Sequence, residues 1–341
     1  MVKTTELYEH FIPIQHEARL MDREIIRITE EQVKETLSVR KSIQLAHQAY
    51  VKLSTDQAFN PERTWFTTLD GTSLYCMPSY VMGRKTIAVK IARANPNNAE
   101  RSLPSVMATV YVYDSSTGQE LAHIEAETLT ALRTAAGSAV ATELLAPREA
   151  SVLGIFGTGR QADAHIAAIR EVRNLTKVMV YSRSQASREA FARKASQAYE
   201  IPVVAANSPG EVVDSSRILV LATNSKVPLF PGELVRERSH VNAIGAALPD
   251  AREIDTNLVK RATLVVDSKP QALSSYGDVL IPLKEGAIKE ANVTELGKLL
   301  VHPMWIRTSD DITVFKSGGV AVLDAIFADY LLSPWVGPKG T

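Results

Sequence analysis

Apolar positions recur along this chain in two rhythms, and the change from one to the other divides it. Up to about residue 129 a helical spacing comes first. Val33, Leu37, Ile43 and Leu45 place an apolar stripe on a helix over 30–53. Short strand-like runs follow at 64–69, 73–78, 86–91, 107–113 and 120–124. Turn signals separate them: Asp70-Gly71, Gly83, the Asn95-Pro96-Asn97-Asn98 cluster and 115–118. A helix followed by consecutive short strands predicts an α+β unit with a mostly antiparallel sheet.

Residues 130–145 are alanine-rich and end before Pro147, which predicts a helix that Thr128 or Thr130 can cap. From 151 to about 311 strands alternate with helices. Strands are expected at 151–156, 177–181, 202–205, 217–222, 240–244 and 263–266. Helices are expected at 161–172 and 185–199, with a short one opened by Ser208-Pro209. These strands are apolar almost throughout, as parallel strands covered on both faces should be. Repeated βα units predict a doubly wound parallel sheet. A strand over 312–315 and an apolar helix over 320–332 close the chain and are expected to pack back on the first unit, with 334–341 frayed. The expected division is 1–130 with 312–341 as one domain and 131–311 as the other, 131–147 being the linking helix.

Composition narrows the function. The 341 residues suggest about two domains. Hydrophobic residues make up 45% and charged residues 22%, which excludes global disorder. Lys plus Arg and Asp plus Glu each number 38, so there is no positive surplus for a nucleic-acid backbone. No run of about 18 apolar residues predicts a membrane span. Residues 1–23, with His10, His16, Glu17 and Arg19, lack the apolar run of a signal peptide. Cys76 is the single cysteine, so no internal disulfide forms, and a cytoplasmic home is expected. Cys76 itself, in an apolar stretch, reads as buried and inert. No histidines or cysteines have metal-ligand spacing, so no metal is expected. His165 reads as a surface or packing histidine, and Asp310-Asp311 as a solvated pair.

One segment carries a specific chemical signal. Gly157-Thr158-Gly159-Arg160-Gln161-Ala162 follows a predicted strand and opens a predicted helix. Gly157 permits a tight turn, Gly159 lets backbone approach a pyrophosphate, and Ala162 lets the helix pack close. The free N–H groups and dipole of the helix start then attract phosphate. The context makes this a dinucleotide-binding loop of a Rossmann-type sheet. At the end of the second strand an acidic residue would hold the ribose of NAD, but here Tyr181-Ser182-Arg183-Ser184 stands, with Arg188 one turn on. Arg183 can pair with a 2′-phosphate and the serines can donate to it, which favours NADPH over NADH.

Three cations stand out in or beside the first unit. Arg63 follows Asn60-Pro61-Glu62, Lys90 interrupts an apolar strand, and Arg133 interrupts the alanine-rich helix. Each alone is readable as an edge or snorkelling residue. Together they suggest an anion site facing the nicotinamide. Trp65 and Tyr80 are candidates to line its pocket.

These residues resemble the ornithine cyclodeaminase/mu-crystallin family. The resemblance runs from about Arg63 to Tyr330. It rests on Asn60-Pro61-Glu62-Arg63-Thr64, Met77-Pro78-Ser79-Tyr80, Lys90, Leu129-Thr130-Ala131-Leu132-Arg133 and the glycine loop at 157–162. It continues in Ala222-Thr223-Asn224, Asn242-Ala243-Ile244-Gly245, Pro249-Asp250-Ala251-Arg252-Glu253, Gly277-Asp278 and Val314-Phe315-Lys316-Ser317-Gly318. The resemblance implies a homodimer joined through the first domain and an active site between the domains. It implies that Arg63, Lys90 and Arg133 hold the substrate carboxylate or flank the reacting carbon. It further implies that Thr223, Ile244, Ser317 and Ser105 lie near the nicotinamide.

One departure selects a branch. Members that cyclise ornithine look like Gly-x-Asp-x-Pro-Gly after the fifth strand, with a catalytic aspartate, whereas this chain has Gly245-Ala246-Ala247-Leu248-Pro249-Asp250. Ala247 stands where that aspartate would be, with Asp250 three residues on. The run is more similar to the mu-crystallin and ketimine reductase branch, as is the 182–184 segment. The expectation is an NADPH-dependent oxidoreductase that reduces C=N bonds in small carboxylated cyclic imines, with Lys90 as the catalytic residue. The alternatives are an NAD(P)-dependent amino-acid dehydrogenase, an ornithine cyclodeaminase-type deaminase, and a non-enzymatic crystallin-like protein that binds NADPH and a small ligand.

Overall fold

The computed structural model describes residues 24–101, 103–302 and 311–336. The expectations for 1–23 and for Asp310 lie outside them. Asp311 is half-buried.

The first sheet grows from the hairpin signals. β1 (Ile26–Ile28) leads through α1 (Glu30–Thr36) and α2 (Val39–Ser54) to β2 (Ala58–Phe59), β3 (Thr64–Thr67), β4 (Ser73–Val81), β5 (Thr86–Ala94), β6 (Val106–Asp114) and β7 (Glu120–Glu125). The single helix expected over 30–53 is two, because Ser38 is extended and accepts from the Lys41 N–H as the cap of α2. The strand order is β1-β7-β6-β5-β4-β2, with β3 also pairing with β4. All pairs are antiparallel except β1 with β7.

α3 (Glu127–Leu145) links this sheet to the next. It is buried nearly all round, as a helix with alanine on every face must be when it runs between two layers. Neither threonine caps it. The carboxylate of Glu30 accepts from the N–H groups of Glu127 at 2.6 Å and Thr128 at 2.9 Å, supplying the negative charge that a helix start favours. At the other end Arg173 donates to the carbonyls of Thr142, Ala146 and Pro147.

The second sheet is parallel throughout. Its chain order is β8 (Val152–Phe156), α4 (Arg160–Val172), β9 (Lys177–Tyr181), α5 (Gln185–Tyr199), β10 (Val203–Ala205), α6 (Pro209–Ser215), β11 (Ile218–Leu221) and β12 (His240–Ala243). There follow α7 (Thr256–Arg261), β13 (Ala262–Val266), α8 (Lys269–Ser275), α9 (Gly277–Lys284), β14 (Val293–Glu295), α10 (Leu296–Val301), β15 (Ile312–Lys316) and α11 (Ala321–Val336). The spatial order is β10-β9-β8-β11-β12-β15-β13-β14. The first five places are the classical 3-2-1-4-5 order, so the crevice for a dinucleotide lies between β8 and β11. One expectation is corrected here. β15, assigned above to the first domain, pairs with β12 and β13 inside the parallel sheet. Only α11 returns to the first sheet, against β4 and β5, and it includes Pro334 to Val336 of the tail expected to fray. β15 is buried at every position on both faces, which suits the interior of a parallel sheet better than an edge.

Among the described residues no helix is long and apolar enough to cross a membrane. Cys76 is half-buried rather than buried.

α2 and α3 approach closely at Gly137, where an added methyl carbon would lie 2.5 Å from the Tyr50 hydroxyl oxygen. Gly137→Ala should therefore destabilise the fold by about 1–3 kcal/mol in urea unfolding. The same change in a Tyr50→Phe background should cost distinctly less, because the crowding atom is gone.

Candidate active site

The glycine loop folds as its residue types require. Gly157 follows β8 with φ +109°, and a methyl carbon there would lie 2.5 Å from the carbonyl oxygen of Ala222, beyond β11. Both facts demand glycine. Gly159 begins α4 without any side-chain cap, and space is open where its Cβ would project. Ala162 is fully buried. The free N–H groups of α4 therefore face open space at the crevice, a fit for the pyrophosphate of a dinucleotide. Of the other loop residues, Arg160 pairs with Glu127 at 2.9 Å, and the Gln161 carbonyl accepts from or faces His165 Nδ1 at 2.7 Å. His165 is a packing residue. Its Nε2 lies 2.9 Å from Ser138 Oγ, and burial pulls its pKa down to about 4.

At the end of β9, Ser182 donates to the Ser184 carbonyl and Ser184 Oγ accepts from the Ser187 N–H, capping α5. Arg188 is buried, donates to the Ser182 carbonyl and lies over the Tyr181 ring. Arg183 is exposed and makes no ion pair among the described residues. The loop is braced by one arginine and presents the other.

Lys90 is neither at an edge nor snorkelling. β5 lies between β4 and β6, and Lys90 sits opposite Met77 and Val110 with 1% of its surface exposed. Its Nζ is 3.2 Å from Asp324 Oδ1 on α11. The same oxygen lies 3.4 Å from Arg133 Nε, also buried. Two cations thus share one carboxylate, and the cluster carries a net charge of +1. Burial, then the neighbouring Arg133, lowers the Lys90 pKa to about 8, while Asp324 opposes the shift.

Arg63 spans the two units. From the start of β3 it donates to the carbonyls of Ala247 at 2.6 Å, beyond β12, and Gly318 at 3.3 Å, beyond β15. The rings of Tyr75 and Tyr276 flank its guanidinium. Asn60, three residues earlier, accepts from the Val322 N–H at the start of α11. Gly319, with φ +84°, abuts Arg133, since a methyl carbon there would lie 2.1 Å from Nη1. The turn 317–319 therefore touches both arginines.

The remaining candidates line the ends of the parallel strands. Thr223 donates through its N–H and hydroxyl to Glu253, which also accepts from the Gly245 N–H. Ile244 is half-buried and its N–H bonds the Leu221 carbonyl. Ser317 donates to Asp267 at 2.7 Å. Ser105 is different. It is exposed before β6, and among the described residues its carbonyl bonds only back to Asn95, so this chain alone does not bring it to the others. Trp65 stacks on Tyr75, the ring that also flanks Arg63, whereas Tyr80 stacks on Phe59. Ala247 is half-buried and Asp250 exposed.

The acidic partners were missed. Asp324 interrupts an apolar helix just as Lys90 interrupts an apolar strand, and that matched anomaly was the available signal. Glu253 and the fully buried pair Lys316–Asp278, 2.8 Å apart, had none beyond their place in the motifs quoted above, and Asp267 had none at all.

Comparison with known proteins agrees with this fold. The family model for the ornithine cyclodeaminase/mu-crystallin family matches residues 24–338. The chain belongs to that family. It is 34% identical over 309 residues to a Delta(1)-pyrroline-2-carboxylate reductase of Bacillus cereus, covering 89% of this chain and 94% of that one. It is 34% identical over 265 residues to the ketimine reductase mu-crystallin of Rattus norvegicus, covering 77% and 80%. Among solved structures, Delta(1)-pyrroline-2-carboxylate reductase of Thermococcus litoralis, in complex with NADH and L-proline, superposes with a TM-score of 0.87. That match has 34% identity and covers 90% of this chain and 96% of that one.

The buried lysine gives a pH signature. Its pKa is lower folded than unfolded, so between about pH 8 and 10.5 the unfolded chain binds the extra proton. Lys90 therefore costs stability below pH 8, and that cost is relieved as pH rises through the window. The difference in unfolding free energy between the wild type and Lys90→Met should shift in favour of the wild type from pH 8 to 10, by at most about 1.4 kcal/mol per unit.

Proposed function

We propose that this protein is an NADPH-dependent reductase of C=N bonds in small cyclic imines that carry a carboxylate. The observation that carries the reading is the pair of buried cations, Lys90 and Arg133, sharing the single carboxylate of Asp324. A buried net positive charge is costly until an anion completes it. A substrate carboxylate beside Arg133 and Arg63 is such an anion, held by charge-assisted hydrogen bonds. Lys90, protonated at neutral pH by its position near pH 8, donates to the imine nitrogen and keeps it protonated, which makes the adjoining carbon electrophilic. The dinucleotide, when bound, supplies the hydride equivalent. Gly157, Thr158, Gly159, Arg160 and Gln161 would hold its pyrophosphate. Thr223, Ile244 and Ser317 would lie at the nicotinamide. Arg183, with Ser184, would read the 2′-phosphate.

We further propose a homodimer formed through the first unit, in the cytoplasm. Phe59 and Phe66 are 56% and 55% exposed on β2 and β3, the strands at one border of the first sheet, and Trp65 lies beside them. Such an apolar edge is normally covered.

The test is NADPH consumption with Δ1-pyrroline-2-carboxylate, followed by absorbance. Turnover is expected. Its absence with every cyclic ketimine would favour a binding protein, and reversible oxidation of a free amino acid without ketimine reduction would favour a dehydrogenase. Ornithine with NAD should give proline and ammonia only in traces, because Ala247 contributes a carbonyl to Arg63 and no carboxylate. Robust proline formation would overturn the reductase assignment in favour of a cyclodeaminase.

The cofactor choice has its own check. Arg183→Ala should raise the KM for NADPH by about tenfold, the loss of one charge-assisted interaction, and leave NADH use nearly unchanged. Equal losses with both cofactors would show that Arg183 does not read the phosphate.

A further inference from the structure

Asp267 follows β13, is 1% exposed and pairs with no cation among the described residues. Its charge is held by donors alone. Oδ1 accepts from the Ser268 N–H at 2.8 Å and the Tyr276 hydroxyl at 3.0 Å. Oδ2 accepts from Ser317 Oγ at 2.7 Å, the Gly319 N–H at 2.8 Å and the Gly318 N–H at 3.1 Å. Successive N–H groups converging on one oxygen form an anion-holding nest. A buried carboxylate without a counter-charge is costly, and it is tolerated where every donor is satisfied and the network is rigid.

What that rigidity reaches is the clamp. The Gly318 carbonyl in the nest accepts from Arg63, Gly319 abuts the Arg133 guanidinium, and the Tyr276 ring lies 5.8 Å from that of Arg63. Each arginine is one contact away from a group that Asp267 holds. We propose that Asp267 is a positioning residue for the substrate-carboxylate clamp: by fixing the 317–319 turn and the Tyr276 hydroxyl, it sets where Arg63 and Arg133 present their N–H groups. This rests on the reductase reading for the identity of the ligand, a small cyclic carboxylate, and on the hydrogen bonds for everything else.

Asp267→Asn keeps the shape but turns an N–H pair toward the nest's donors. Binding of L-proline in saturating NADPH, two reduced partners that cannot react with each other, should weaken by about tenfold in calorimetry, the scale of a lost hydrogen bond to a charged group. NADPH affinity should fall by a clearly smaller factor, since the glycine loop that would hold its pyrophosphate is untouched and only Ser317, among the residues assigned to the cofactor, bonds to Asp267. The KM for Δ1-pyrroline-2-carboxylate should rise in parallel with the L-proline Kd, with kcat changed far less. Tyr276→Phe, which removes one donor and keeps the ring against Arg63, should give a smaller loss in the same direction. If Asp267→Asn does not fold, Tyr276→Phe decides. Unchanged L-proline affinity in a folded variant, or equal losses for L-proline and NADPH, would overturn the proposal. Turnover by the wild type judges the reductase reading separately, because the Asp267 arm is read from binding.

Discussion

Asp324 lies between Lys90 and Arg133, and all three side chains are buried. Either cation alone with this carboxylate would be a closed ion pair. Two with one leave a positive charge in a poorly solvated place, and the rest of the structure is arranged around that imbalance. β5 supplies the lysine, α3 the arginine and α11 the aspartate, so three elements from distant parts of the chain must meet before the site exists. The low pKa of Lys90 is the same imbalance expressed on one atom.

The surrounding polar groups fix the walls. Glu253 joins the ends of β11 and β12 by accepting from Thr223 and Gly245. Asp278 accepts from the N–H groups of Glu253 and Ile254 and pairs with Lys316. Asn60 ties the segment before Arg63 to the start of α11. Hydrophobic clusters alone would leave these loops free to slide. The buried carboxylates give each a defined partner, at the desolvation cost that raises the pKa of Glu253 and Asp267.

Much of this was legible in the order of residues. Alternating βα runs placed β8 to β12 within a residue or two, because parallel strands buried on both faces leave an unmistakable apolar signature. The glycine loop was legible because a positive φ and a close backbone approach exclude every other residue at Gly157. Lys90 and Arg133 stood out as charges where charges are costly. The acidic partners were hidden, because an ion pair between residues 90 and 324 is a fact of topology rather than of spacing. β15 was misplaced for the same reason, since strand order in a sheet is not written in chain order. Glu30 as the cap of α3 is likewise a contact across 97 positions, invisible to rules about neighbours.

The late position of β15 and α11 has a consequence for the order of assembly during synthesis. β15 fills an interior place between β12 and β13, so the parallel sheet stays split until residue 316 has emerged. α11, which covers β4 and β5 and carries Asp324, emerges only after that. A nascent chain shorter than this holds one sheet with a gap and another with an uncovered apolar face, both aggregation-prone features. The two halves of the molecule therefore cannot be completed one at a time, as the beads of a multidomain chain usually are. They finish together, when β15 and α11 arrive, so both halves gain their final order in a single late step.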